Sequence, residues 1–157
     1  MDENFIDIIN NHRALIYKVC RLYCDDSEDQ KDLFQEIILQ IWKSLDSFRQ
    51  KSSLSTWMYR VALNTAITHF KKERRFGNRV PLAGIEIPEI ASGDDRDEML
   101  SQLFKAIEDL DKIDKSIILL YLEEKTYDEI STITGLSKSN VGVRINRIKT
   151  KLSKQIN

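Results

Sequence analysis

An all-α chain of two small helical domains is predicted by three features of this 157-residue sequence. Apolar residues recur at helical spacing through most of its length, and no useful stretch alternates with the period of two that a strand requires. That rhythm fails between residues 76 and 95, where both prolines (Pro81, Pro88) and three of the five glycines (Gly77, Gly84, Gly93) fall. Such punctuation marks a flexible linker. The last third, residues 126–157, holds two capped helices around a turn glycine, which reads as a helix-turn-helix. The predicted boundaries are 1–76 for the first domain, 77–95 for the linker and 96–157 for the second.

Phe5, Ile8, Ile9, Leu15, Ile16, Val19, Leu22 and Tyr23 mark a long first amphipathic helix. Ser27 and Gln30 have capping-box spacing and open a second helix through Leu33, Phe34, Ile37, Ile38, Ile41, Trp42 and Leu45. A polar stretch at 47–53 breaks the pattern. A third helix then runs from about residue 54 to 75, with Trp57, Met58, Val61, Ala62, Thr65, Ile67 and Phe70 as its apolar face. Trp42 and Trp57 fall within these stripes, which favours core packing over a role as stacking platforms.

Past the linker, whose Val80, Leu82, Ile85, Ile87 and Ile90 give it an apolar character, periodicity resumes at Met99, Leu100, Leu103, Phe104, Ile107 and Leu110. A further helix holds Ile113, Ile117, Ile118, Leu120 and Tyr121. Thr126 and Glu129 then form a T-x-x-E capping box, and Ile130 and Ile133 give the next short helix its inward face. Gly135 permits the left-handed backbone of a sharp turn, and Ser137 is placed to cap the last helix. Val141, Ile145, Ile148 and Leu152 make one buried stripe in it. The opposite face carries Lys138, Ser139, Asn140, Val143, Arg144, Arg147 and Lys151, and from Lys138 onward there are six basic residues and no acidic one. An ordinary helical hairpin with a solvated basic face is the bland alternative; two caps, a turn glycine and an all-positive outer face favour DNA.

The formal net charge of -1 hides a strong asymmetry. Residues 70–79 carry Lys71, Lys72, Arg74, Arg75 and Arg79 against Glu73 alone, whereas residues 86–98 hold six acidic residues against one basic. Screening limits electrostatic reach to about 8 Å at physiological salt, so the local field decides phosphate attraction. No signal peptide or apolar span is visible, which predicts a cytoplasmic location without membrane insertion. Cys20 and Cys24, the only cysteines, are poorly placed for a disulfide, and with His12 they match no zinc pattern. Free thiols are expected, with no metal and no cofactor. No phosphate loop or nucleophile motif is present, and His12 and His69 lack evident partners, so no catalytic residue is expected.

The stretches 32–42 (DLFQEIILQIW), Phe48-Arg49, 55–64 (STWMYRVALN) and 71–75 (KKERR) resemble the sigma-two domain of bacterial RNA polymerase sigma factors. Tyr127–Ile130, Gly135–Ser137 and Val141–Arg147 resemble their sigma-four domain. The order, the tether and the short length match the extracytoplasmic-function group, which lacks a sigma-three domain. The resemblance implies a promoter-specificity subunit. It would bind core RNA polymerase and promoter DNA and assist melting without covalent chemistry.

The resemblance also assigns surfaces. The second helix would grip the polymerase clamp through Asp32, Gln35, Glu36, Leu39 and Gln40, polar positions with one apolar anchor; a solvated face is the alternative. Arg49, Gln50, Lys51, Ser52 and Ser53 would meet flipped bases of the minus-ten element, joined by Asn64, with Lys71, Lys72, Arg74 and Arg75 on phosphates. In the last helix, Ser139, Asn140 and Val143 would reach base edges of the minus-thirty-five element, and Lys138, Arg144 and Arg147 would clamp phosphates. The linker would either enter the RNA exit path or remain a solvated tether. Members of this group are often held by an anti-sigma factor, of which the sequence gives no direct sign.

Departures from the family pattern bear on promoter sequence rather than class. Gly142 stands where a basic residue is common, Leu110-Asp111 replaces a Leu-Pro pair, and Leu63 and Thr68 stand where arginine and aspartate are frequent. The rival reading is an autonomous helix-turn-helix regulator, which explains residues 126–157 but leaves 32–42 and 57–75 unused.

Overall fold

The apolar stripes of the sequence become two separate helical cores. A computed structural model describes residues 3–48, 52–69 and 96–155, and the described residues contain helices but no strand. The chain divides into two units, Met1–Ile90 and Ala91–Asn157.

The first unit packs α1 (Glu3–Tyr23), α2 (Ser27–Ser44) and α3 (Leu54–His69) pairwise against one another. Phe5, Ile9, Ile16, Leu33, Ile37, Ile38, Ile41 and Met58 are fully buried between them. Each large aliphatic side chain removed from water contributes about 1.5–3 kcal/mol, so this shared core holds three helices none of which would persist alone. A 3-10 turn, Leu45–Ser47, ends α2. The sequence pattern predicts a capping box at Ser27 and Gln30, and the fold uses those residues otherwise. Asp26 is the N-cap residue, without a side-chain cap bond. Gln30 is buried and donates from Nε2 to the Cys24 carbonyl at 2.8 Å. With Asp26 at the N-cap, Gln30 lies one position too far along α2 to close a box and reaches back to the corner instead. Cys20 and Cys24 are buried free thiols, and burial pushes the Cys20 thiol well above its ordinary pKa.

Neither tryptophan is buried in the core. Trp42 is exposed and meets Phe5 edge-on at 4.8 Å; Trp57 is half-buried and stacks on Phe48 at 5.2 Å. The inner faces of α2 and α3 are already filled by isoleucines, Met58 and alanines, so both indoles lie at the rim.

The second unit packs α4 (Arg96–Glu108), α5 (Lys112–Leu122) and α6 (Tyr127–Thr134) against α7 (Lys138–Gln155). Asp111 caps α5, its Oδ1 accepting the Asp114 amide at 2.8 Å. That residue takes the place of the expected proline, so the helix start is secured by a hydrogen bond instead of a fixed φ. The α5–α6 corner is a Schellman turn: the Lys125 amide donates to the Leu120 carbonyl and the Glu124 amide to the Tyr121 carbonyl, both at 3.0 Å. Glu124 there adopts φ 61°, a left-handed conformation that glycine takes without strain. Glu124→Gly is therefore expected to stabilise the second unit by about 0.5–1 kcal/mol, measured by urea unfolding. Destabilisation would show that the Glu124 side chain is worth more than the relieved backbone.

Candidate functional site

The last two helices are fixed by local chemistry that the sequence states openly. Thr126 Oγ1 accepts the Glu129 amide at 3.1 Å, and Glu129 Oε1 accepts the Thr126 amide at 3.0 Å, closing the capping box that begins α6. The backbone amide of Thr126 holds the Glu129 carboxyl below its ordinary pKa. Gly135 ends α6 at φ 79°, with open space around it, so conformation rather than crowding requires glycine. Ser137 Oγ then accepts the Asn140 amide at 3.1 Å and caps α7. Val141, Ile145, Ile148 and Leu152 are buried, as their spacing requires.

Burial of that stripe turns the remaining residues outward. Lys138, Ser139 and Arg147 are exposed, Asn140 is half-buried, and Val143 is 63% exposed, the most solvent-accessible large apolar side chain among those described. Lys138 pairs with Asp128 at 3.4 Å, but both are exposed, so the pair is easily exchanged for another anion. Arg144 is different. Its Nη1 lies 2.9 Å from Asp114 Oδ1 on α5, while Arg147 Nη2 lies 3.4 Å from Asp114 Oδ2. Farther along α7, Arg147, Thr150, Lys151, Lys154 and Gln155 line a shallow depression of about 510 Å³, extending the positive strip toward the helix end.

In the first unit, Asp32, Gln35, Glu36, Leu39 and Gln40 all lie on α2 outside the buried set, and each is half-buried. Gln40 Nε2 donates to Glu36 Oε1 at 3.0 Å, which orders one polar ridge of that face. Ser52 and Ser53 precede α3, and Ser53 has a structural duty: its Oγ accepts the Thr56 amide at 3.1 Å and donates to Thr56 Oγ1 at 2.9 Å. Asn64 is exposed on α3, with Arg60 exposed one turn earlier and Thr68 one turn later. Arg49, Gln50, Lys51, Lys71, Lys72, Arg74 and Arg75 lie outside the described residues, as does the linker.

The two halves carry two matching regions in one order. The family model of Sigma-70 region 2 matches residues 8–76, and that of Sigma-70 region 4 matches residues 100–152. The ECF RNA polymerase sigma-E factor of Escherichia coli is 30% identical over 143 residues, covering 83% of this chain and 75% of that protein. The chain belongs to the extracytoplasmic-function sigma factor family. The ECF sigma factor SigW of Bacillus subtilis is 27% identical over 97% of this chain and 88% of its own length. Among solved structures, the sigma factor RpoE of Bartonella quintana, in complex with the anti-sigma factor NepR, shares the fold. Its TM-score is 0.72 at 18% identity, over 99% of this chain and 98% of that one.

As an extracytoplasmic-function sigma factor, the protein is a promoter-directing transcription initiation factor and not an enzyme. The autonomous regulator is not favoured, because it gives the region-2 half no role. Two residues that the fold brings to these surfaces, Arg60 and Asp114, are absent from the sequence-based assignments. Arg60 could be found from its spacing of four to Asn64. Ser53, which the resemblance assigns to the minus-ten loop, also caps α3 by accepting the Thr56 amide. Asp114 carries no local signal, since it meets Arg144 and Arg147 across 30 and 33 residues.

Gly142 sits within α7, half-exposed, where a Cβ would meet the Tyr127 ring at 3.4 Å, an ordinary contact distance. Packing does not demand glycine there. Gly142→Ala is expected to raise the unfolding free energy by about 1 kcal/mol, the helix-propensity difference, measured by urea denaturation. A loss of stability would mean that the Tyr127 ring cannot yield.

Proposed function

We propose that the two units divide promoter recognition as follows. Residues 1–76 form the polymerase-binding and minus-ten domain, residues 77–95 the tether, and residues 96–157 the minus-thirty-five domain. The face of α2 formed by Asp32, Gln35, Glu36, Leu39 and Gln40 docks core RNA polymerase. The segment Arg49, Gln50, Lys51, Ser52 and Ser53, together with Asn64, takes unpaired minus-ten bases, and Lys71, Lys72, Arg74 and Arg75 hold the strand by its phosphates. Binding of flipped bases offsets the cost of unpairing, so melting needs no covalent step.

The observation that carries this reading is the outer face of α7, where an exposed Val143 stands beside Ser139 and Asn140 at the capped end of a basic helix. In a major groove, Asn140 suits adenine, Val143 suits a thymine methyl, and Lys138 and Arg147 suit phosphates. Arg144 stands apart, because Asp114 engages it at 2.9 Å and its side chain is 25% exposed, against 3.4 Å and 61% for Arg147. An anti-sigma partner belongs to the same proposal. The Bartonella quintana sigma factor was solved in complex with one. The site of action is the cytoplasm, and among the described residues no helix is long and apolar enough to cross a membrane.

Run-off transcription from a random-spacer promoter library, with bacterial core polymerase, tests the proposal. Initiation that requires the protein and selects sites sharing two spaced elements is the expected outcome. Absence of such transcripts, together with no detectable binding to the core enzyme, would overturn it.

A further inference from the structure

The six cations that the sequence places on α7 are not equally available, and one buried carboxylate makes the difference. Asp114 lies in the first turn of α5, held there by the cap that Asp111 forms on its amide. Its side chain is 9% exposed and accepts from two arginines one turn apart on α7. Oδ1 takes Arg144 at 2.9 Å; Oδ2 takes Arg147 at 3.4 Å. The exposures are just as unequal, 25% for the Arg144 side chain and 61% for Arg147. Arg144 Nε is buried and has no hydrogen-bond partner among the described residues, so this guanidinium is sunk against the protein rather than laid on its surface.

A buried carboxylate stripped of its last cation is left with an uncompensated charge, which is far more costly than a surface pair left open. Asp114 must therefore keep one guanidinium. Distance and burial both select Arg144. Arg147 is longer-bonded, mostly solvated and adjacent to the depression lined by Lys151 and Lys154, so it can turn to an outside anion while Asp114 stays neutralised.

We propose that Asp114 is a positioning residue for the DNA-facing helix: it retains Arg144 as a fixed strut between α5 and α7, leaving Arg147 as the guanidinium that α7 gives to a phosphate. The assignment rests on the reading of α7 as the promoter-recognition helix. Loss of Asp114 frees Arg144 and adds one phosphate contact that the native protein does not make.

The salt dependence of duplex binding distinguishes this from a purely structural role, since each neutralised phosphate contributes about 0.9 to the slope of log K against log salt. Fluorescence anisotropy of the full chain on a labelled 30-base-pair duplex of mixed sequence would be read across a salt series, with thermal melts run in parallel. Arg147→Ala is expected to lower the slope by about 0.9 and barely move the melt. Arg144→Ala is expected to lower the melting temperature and, by leaving Arg147 as the last cation of Asp114, to lower the slope as well, whereas Asp114→Asn is expected to steepen the slope by about 0.9. Arg147 is on the surface, so its variant remains decisive where either of the others fails to fold. A wild-type slope in Arg147→Ala, or an unchanged slope in a folded Asp114→Asn, overturns the assignment while leaving the DNA reading intact. Wild-type protein that shows no salt-dependent duplex binding, alone or with core polymerase, overturns the DNA reading and the assignment with it.

Discussion

Burial of Val141, Ile145, Ile148 and Leu152 beneath α4, α5 and α6 is the constraint on which the outward face of α7 depends. A helix has one orientation about its axis that hides such a stripe. Once that orientation is taken, Lys138, Ser139, Asn140, Val143 and Arg147 have nowhere to face but solvent. The caps add precision along the axis. Ser137 fixes where α7 begins, and Gly135 fixes the angle at which the chain enters it. Moving the start by one residue would rotate every outward side chain by about a third of a turn. The capped start therefore sets which side chains α7 presents as well as adding stability.

The first unit follows the same logic with a different surface. Leu33, Phe34, Ile37, Ile38 and Ile41 turn α2 inward, which leaves Glu36, Leu39 and Gln40 as a partly ordered ridge. Ala62 and Ala66 let α3 sit close to its neighbours, and Asn64 is left on the open side with Arg60 and Thr68. Each outward face thus arises as the complement of a core. Replacing a buried aliphatic residue in either unit would disturb a surface that it never touches.

The parts legible in the sequence are those governed by spacing of three and four residues. The helices, the α6 capping box, the turn at Gly135 and the α7 stripe are all local, so one sequence suffices to read them. The Ser27–Gln30 box does not form because the helix begins one residue earlier, with Asp26 as its N-cap, and Gln30 Nε2 donates to the Cys24 carbonyl. Trp42 and Trp57 escape the core because periodicity gives the face of a helix but not how far along that face the core extends. Asp114 is invisible for a deeper reason. Its partners lie 30 and 33 residues away, and only the packing of α5 on α7 brings the three together. The count of free cations on α7 is consequently a tertiary property.

The most direct single measurement is native mass spectrometry of the purified chain mixed with bacterial core RNA polymerase, paired with a Glu36→Lys variant that keeps its helical circular dichroism. One chain per core enzyme, with the complex lost in the variant, is the result expected for a sigma factor that docks through α2. Specific duplex binding by the chain alone, with no core complex at any ratio tested, would contradict it.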